Sequence, residues 1–384
     1  MSDSPQIIVL FSGGLDSLLT AKLLERQGLR VRCLHFYSPF FGGEALAAHW
    51  SKVHGLDVVS RDVGPQFAAM LRQRPEHGFG KVLNPCVDCK ILLLREARAY
   101  MESVGAQALA TGEVLGQRPM SQRRDTLNVI LRDAGVSNFL LRPLCAHHLQ
   151  PTPVEESGLV DRSRLLGIWG RGRTEQLALA KEYGITEIPT PGGGCRLTER
   201  ENARRYWLVL TRLPQPTAGD FTLANLGRQF WHSEGQSHYW LCVGRNSADN
   251  DLLAAAAGPD DLVLRMRDMP GPLALARNGA LWPEDVLGTA CQMAASYAPK
   301  AVATGGPVFV RARRGEEFKD ILVPTQRCEA LWNEPAWDEI KGVIRAEARE
   351  RQAVQDAARA AAREARYEAE RLEAGLHADD GPQA

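Results

Sequence analysis

Cys86 and Cys89 stand three positions apart in the stretch NPCVDCK. That spacing serves a redox pair, half of a zinc site or two packed thiols equally well. A third thiol would separate these readings, and Cys195 is the candidate. It lies far downstream in TPGGGCRLTER, behind three glycines that remove side-chain bulk and let the backbone approach a neighbour. Three thiolates can hold a [4Fe-4S] cluster and leave one iron open for a hydrosulfide, whereas zinc takes a fourth protein ligand or a water. The plain alternative at 195 is a small residue chosen for a tight turn.

A second chemical signature is FSGGLDS, residues 11–17. It follows an apolar run and opens a helical pattern, so two glycines bring the backbone close to an anion, the hydroxyls of Ser12 and Ser17 can donate to its oxygens, and helix N-terminal amides face it. The stretch lacks the Walker lysine and the GxGxxG spacing, which excludes a P-loop kinase and a dinucleotide site. Without a ligand it would be a Gly-Gly turn with Asp16 or Ser17 capping a helix.

These residues need elements to position them. QIIVLF reads as a strand, and Leu15, Leu18, Leu19, Leu23 and Leu24 form one helical face. The alternation continues through VRCLHFY, EALAAHWSKVHG, LDVVSRDV, CVDCKILLLREARAYMESVG and AQALATGEV. Strands alternating with helices predict an α/β domain over residues 1–212, a parallel sheet with helices on both faces. RLPQPTAGD supplies a linker at 213–220. Residues 221–330 then read as a small α+β domain: strand, turn and helix in YWLCVGRNSADNDLLAAA, a hairpin in DLVLRMRDMPGPLALAR, a helix in WPEDVLGTACQMAASYAP and a strand in GPVFVRARR. From 331 to 384 the chain is a long charged helix with a tail, LHADDGPQA, that should fray. Its Ala, Arg and Glu favour helix, and the lack of a sustained a/d apolar repeat predicts a solvated single helix rather than a coiled coil.

With 384 residues and 44% apolar composition, more than one core is expected, and no stretch approaches the roughly 18–20 apolar residues that span a bilayer. No membrane association is expected. MSDSPQIIVLFSGG has no basic segment followed by an apolar one, so the expected compartment is the cytoplasm. There thiols stay reduced, and the eight cysteines read as core, catalytic or metal-binding residues rather than a disulfide framework. Net charge is zero, but Lys and Arg exceed Asp and Glu by six over residues 1–215, a balance that permits a polyanionic partner without requiring one.

The SGGxDS residues resemble the signature of the PP-loop ATP pyrophosphatases, which carry it on a HUP-type α/β domain. The resemblance implies that ATP is split between its α and β phosphates, that a carbonyl oxygen is adenylated, and that Ser12, Gly13, Gly14, Asp16 and Ser17 hold pyrophosphate with Mg2+. ATGEVLGQRPMSQ (110–122) resembles the TGExxGQ…SQ segment of the 4-thiouridine synthetase family, which places Thr111, Gly112 and Gln117 at the nucleotide. NPCVDCK and GGGCRLTER resemble the paired cysteine motifs of tRNA thiolation enzymes. By that resemblance Cys86, Cys89 and Cys195 become ligands of a [4Fe-4S] cluster, and Cys89, Cys195 and Asp16 carry the catalysis. In the 2-thiouridylase pattern, Cys89 and Cys195 would instead carry a persulfide. The resemblance spans roughly the first 200 residues. Gln117 is followed by Arg-Pro-Met rather than the family's small residues, and no THUMP-like or rhodanese segment is recognisable.

VGRNSADNDLLAAAAGPDDLVLRMRDMPGPLALAR resembles the NFACT RNA-binding domain, through Gly244, Arg245, Asn246, Asn250, Asp260, Asp261, Pro270 and Gly271. Arg245, Asn246, Arg265, Arg267, Arg277, Arg311, Arg313 and Arg314 are the resulting candidates for RNA contact. His147 and His148 lack ligand spacing and read as loop or core residues. Asp161, Arg162, Arg171 and Arg173 could face RNA or be charged positions on a helical hairpin. The expected activity is ATP-dependent thiolation of a tRNA uridine, 4-thiouridine before 2-thiouridine. Its partners would be tRNA and a sulfur donor, either inorganic sulfide or a cysteine desulfurase. The alternatives are an ATP-dependent amidotransferase or ligase on a small substrate, and a nucleotide-sensing RNA-binding adaptor without catalysis.

Overall fold

The structure is a computed structural model and describes residues 4–188 and 194–378. β1 (Ile7–Leu10) is followed by α1 (Leu15–Glu25), β2 (Val31–Tyr37), α2 (Glu44–His54), β3 (Val58–Asp62), α3 (Gly64–Gln73), α4 (Cys86–Ser103), β4 (Ala108–Thr111), α5 (Arg124–Ala134), β5 (Leu140–Leu141), the single-turn α6 (Pro153–Glu156), α7 (Thr174–Glu182) and α8 (Arg200–Arg212). The five strands pair in the order β3-β2-β1-β4-β5, all parallel. β1 is central and apolar at every position because both of its faces are covered. Ile7 and Val9 pack with Leu18 and Leu19 of α1 and Ala180 of α7, while Ile8 and Leu10 pack with Leu94 of α4 and Ile130 of α5. The period-2 alternation of a strand thus feeds two cores. The chain leaves β1 toward β2 on one side and returns through β4 on the other. That creates a switch point at the C-terminal ends of β1 and β4, where sheets of this kind bind ligands.

After α9 (Ala218–Leu223) comes an antiparallel sheet built from β6 (Arg228–Glu234), β7 (Ser237–Val243), β8 (Leu262–Met266), β9 (Ala274–Arg277), β10 (Val308–Arg314) and β11 (Glu317–Val323). Its order is β11-β10-β8-β9-β7-β6. α10 (Ser247–Ala255) links β7 to β8, and α11 (Glu284–Ala295) and α12 (Pro299–Ala303) precede β10. Small residues on both sides, Ala274 and Ala276 on the sheet and Ala290 and Ala294 on α11, form one core with Leu264 and Val310. The stretch read as a linker is partly ordered: α9 starts inside it, where Thr217 and Asp220 form a reciprocal capping box.

The two sheets belong to one compact unit that runs to Glu334, and a second unit starts at Pro335. Within the first, Phe40 packs against Phe67, Tyr206 and Phe221 in tilted and edge-on geometries at centroid distances of 5.1, 5.0 and 4.9 Å. Asn225 ties the same junction, donating to the Pro39 carbonyl at 2.9 Å and accepting from Tyr206 Oη at 2.5 Å. Arg277 of β9 donates to Asp220 at 2.9 Å and to Asp261 at 2.8 Å. The second unit contains α13 (Trp337–Ala378), with side chains such as Val343, Val354 and Tyr367 more than half exposed. The tail residues 379–384 lie outside the described residues. Among the described residues no helix is long and apolar enough to cross a membrane.

Phe40 is fully buried among rings from α3, α8 and α9. Phe40→Ala is therefore expected to cost about 3–5 kcal/mol, read as a lower urea midpoint. An unchanged midpoint would mean that the aromatic cluster does not hold α3, α8 and α9 together.

Candidate active site

The FSGGLDS stretch folds as the turn between β1 and α1. Gly13 has φ +75°, and a Cβ there would stand 2.8 Å from Trp50 Nε1, so both backbone and space require glycine. Gly14 is the N-cap of α1 and brings no capping side chain. The first-turn amides thereby stay available to an anion. Ser17 Oγ donates to the Gly14 carbonyl at 2.8 Å, and Ser12 Oγ lies 3.4 Å from Ser17 Oγ. Gly112 follows β4 and presses against the same turn. A Cβ at this position would come within 2.5 Å of the Asp16 carbonyl carbon and 2.6 Å of Ser17 N. The segment resembling TGExxGQ and the phosphate loop are thus in direct backbone contact.

Asp16 is half-buried, and burial pushes its carboxyl up, against the opposing pull of the hydrogen-bonding Gln117 amide, the Arg173 and Arg118 charges and the Gln176 amide. Its Oδ1 is sealed from water and makes no hydrogen bond. A buried carboxylate oxygen without a partner is costly, and a hydrated Mg2+ is a group that would satisfy it. Arg173 is within charge reach of Asp16 in the FSGGLDS turn. By contrast, Arg162 is used in scaffolding: it pairs with Glu155 and donates to the carbonyls of Ala146 and Leu149. Asp161 caps the short turn that follows it. His147 and His148 each face a backbone carbonyl, of Arg162 and Gly167.

Glu113 was not singled out by the sequence, although it is the acid in the TGE triplet. It is 2% exposed. Arg142 Nε donates to its Oε2 at 3.0 Å, Thr111 Oγ1 donates to the same oxygen at 3.2 Å, and Lys90 Nζ stands 3.7 Å from Oε1. Burial alone would raise this carboxyl, but Lys90 and Arg142 outweigh it and hold it below the usual carboxylate range. Lys90 follows Cys89 directly in α4. One buried charge thereby connects the end of β4, the base of the phosphate loop and the helix that carries two cysteines.

Cys86 is the first residue of α4. Asn84 Nδ2 donates to Cys86 Sγ at 3.1 Å and lies 3.4 Å from Met120 Sδ. Cys195 starts a short 3-10 turn that is tied to this neighbourhood by two backbone bonds. Leu83 N donates to the Leu197 carbonyl at 3.2 Å and Arg196 N to the Phe40 carbonyl at 2.9 Å. The three thiols act on one another electrostatically: Cys195 and Cys86 both raise Cys89, and Cys86 raises Cys195. Burial is the larger cause, and together these effects push Cys89 to about 12 and Cys195 to about 11. Gly192 and Gly193, read as easing the backbone approach at Cys195, lie outside the described residues. Thiolates are the ligand type that an iron-sulfur cluster takes. Among the described residues, however, no three His, Cys, Asp or Glu side chains converge as a metal-ion group. Ligation would have to draw the thiols together and remove their protons.

The RNA-contact candidates separate by what already holds them. Arg245 pairs with Asp249, Arg267 with Asp268, Arg311 with Asp320, and Arg277 with two carboxylates. Asn246 caps α10 by accepting from Asp249 N at 2.9 Å, and Asn250 accepts from Leu273 N at 3.0 Å. Arg265 and Arg313 carry no ion pair among the described residues. Both line an open groove of about 1000 Å³, together with Arg311 and Arg314, whose rim also holds Glu316 and Glu317.

A parallel five-stranded sheet with a Gly-Gly turn at its switch point gives the first part of the chain an α/β architecture of the kind that binds ligands at the C-terminal ends of its strands. Residues 3–149 match the profile of the family described as ThiI: Thiamine biosynthesis protein (ThiI). Three curated relatives are each named tRNA sulfurtransferase. That of Proteus mirabilis is 30% identical over 179 residues, covering 44% of this chain and 33% of its own length. That of Pectobacterium carotovorum is 30% identical over 221 residues, covering 54% and 41%. The Edwardsiella ictaluri protein is 35% identical over 153 residues, covering 37% and 29%. The chain thus spans about a third of the length of the relatives it matches.

Two outcomes are expected. Gly112→Ala should weaken Mg-ATP binding roughly tenfold to hundredfold by displacing the start of α1, and unchanged ligand-induced thermal stabilisation would count against the close contact. Because only the thiolate reacts, alkylation of Cys89 and Cys195 by iodoacetamide should be slow at pH 7 and rise about tenfold per pH unit past pH 9. Peptide mass spectrometry reads this, and a plateau below pH 9 would contradict the raised values.

Proposed function

We propose that the chain thiolates a uridine of tRNA at the expense of ATP, forming 4-thiouridine in preference to 2-thiouridine and releasing AMP and pyrophosphate. The observation that carries this reading is the Gly112–Glu113 bridge. Gly112 touches the phosphate loop, and Glu113 is paired with the lysine next to Cys89. An activating site and a sulfur site are thereby held on one rigid piece of backbone. The likeness of the first part of the chain to tRNA sulfurtransferases supports the substrate class.

In this reading Ser12, Gly13, Gly14 and Ser17 hold the leaving pyrophosphate, and Asp16 holds Mg2+. Thr111, Gly112 and Gln117 shape the nucleotide pocket. The uracil carbonyl oxygen attacks the α-phosphorus of ATP, the bond to pyrophosphate breaks, and that oxygen becomes part of a good leaving group, AMP. Sulfur then bonds to the activated carbon and AMP departs with the oxygen. If the sulfur arrives as a persulfide on Cys89 or Cys195, the other thiol attacks the inner sulfur to release thiouridine. That leaves a disulfide, which an external thiol must reduce. A [4Fe-4S] cluster on Cys86, Cys89 and Cys195 would instead supply hydrosulfide on an iron without a protein ligand.

Sulfide or a cysteine desulfurase is the donor, and the cytoplasm is the compartment. The working division is a thiolation domain at 1–212, a linker at 213–220, an RNA-binding domain of NFACT type at 221–330, and the charged helix and tail at 331–384. Arg265 and Arg313 have donors to spare for phosphate.

Mass spectrometry of tRNA nucleosides tests the reading, in a strain lacking the gene and complemented with wild type or Cys195→Ala. Thiouridine is expected to vanish on deletion, to return with wild type and not with the variant. Unchanged thiouridine on deletion removes the proposal. Iron and sulfide content after anaerobic purification separates the two sulfur routes.

A further inference from the structure

Gln176 lies in the first turn of α7 and is 0% exposed. Neither its amide nitrogen nor its amide oxygen completes a hydrogen bond. A side chain in that condition loses water at both polar ends and gains nothing in return. Its surroundings would reward an apolar residue, since Ala180, one turn further along α7, is part of the core with Leu18 and Leu19 of α1. Apolar packing therefore gives no account of a glutamine here. What lies beside it does. The Gln176 amide stands near enough to Asp16 to draw its carboxyl down as a hydrogen-bonding neighbour, though short of a completed bond; the Asp16 Oδ1 is also buried and unpartnered, and Arg173, the N-cap of α7, acts on the same carboxylate by its charge. Asp16 itself lies in the first turn of α1, where Gly14 leaves the amides without a capping side chain.

We propose that Gln176 is a ligand-contacting residue of the phosphate pocket. Its side-chain N–H donates to an oxygen of the nucleotide's pyrophosphate portion, and its amide oxygen accepts from water bound to the divalent cation at Asp16. A carboxamide suits both tasks because it offers two donors and an acceptor without charge. Beside a carboxylate a glutamate would repel the anion, and a lysine would compete with the cation. The fold keeps an unsatisfied amide in the free protein and recovers its hydrogen bonds on binding, so the residue trades stability for affinity.

The inference rests on the reading of FSGGLDS as a phosphate loop, and the two can fail separately. Wild type, Gln176→Met and Gln176→Glu are compared in the full chain by thermal unfolding, without ligand and with Mg-pyrophosphate or Mg-ATP. Gln176→Met keeps the volume and removes both polar ends. Its ligand-free Tm should equal or exceed that of wild type by about 2 °C, while its dissociation constant for Mg-pyrophosphate rises about tenfold, the loss of one hydrogen bond. Gln176→Glu, which retains acceptors but no donor, should bind at least as poorly. Wild-type affinity in both variants overturns the proposal. So does a fall of several degrees in the ligand-free Tm of Gln176→Met, which would show the amide to be a structural partner in solution. If Mg-pyrophosphate and Mg-ATP leave wild type itself unshifted, the phosphate-loop reading fails first.

Discussion

A carboxylate cannot be sealed from water in a protein interior unless opposite charge and hydrogen bonds are brought to it, and the first domain is arranged around one such group. Glu113 is enclosed at the end of β4 and held by Arg142 beyond β5, Thr111 on its own strand and Lys90 on α4. Removing one member of a buried pair typically costs about 3–5 kcal/mol because the remaining charge is stranded. The three segments are therefore fixed to one another by a penalty rather than by packing alone. The close approach of Gly112 to Asp16 extends the same rigidity to the phosphate loop.

Charge is spent differently in the second sheet. Arg277 crosses from β9 to both Asp220 and Asp261, and Glu334 sits between Arg204 at 2.9 Å and Arg205 at 3.2 Å. Burial nevertheless raises the Glu334 carboxyl, since the two arginines do not fully offset it. These pairs attach the antiparallel sheet to α8 and α9 around the aromatic cluster at Phe40. The arginines left without a carboxylate, Arg265 and Arg313, fall together on one groove.

Much of this was legible in the sequence because it is governed by short-range rules. The parallel α/β order, the placement of SGGLDS between β1 and α1, the hairpin at β8–β9 and the helix at 337–378 all follow from periodicity and turn chemistry. Less legible were the features that depend on long-range contact. α9 was hidden in a stretch rich in Pro and Gly, since its capping box Thr217–Asp220 leads into only six helical residues. Glu113 was visible as a letter in a motif, but its burial depends on Arg142 and Lys90, 29 and 23 positions away. Gln176 gave no signal at all, because a glutamine on a helix reads as solvent-facing until the neighbouring elements are in place. The arginines of the second sheet were legible as cations, while their carboxylate partners were not.

The adjacency of Cys89 and Lys90 has a thermodynamic corollary. Any ligand at the phosphate loop that changes the field at Glu113 acts through Lys90 on the peptide unit that bears a sulfur. Free energies of coupling between two sites are symmetric. The factor by which an anion bound at that turn alters the proton affinity of the Cys89 thiol is thus the factor by which the proton on that thiol alters the hold on the anion.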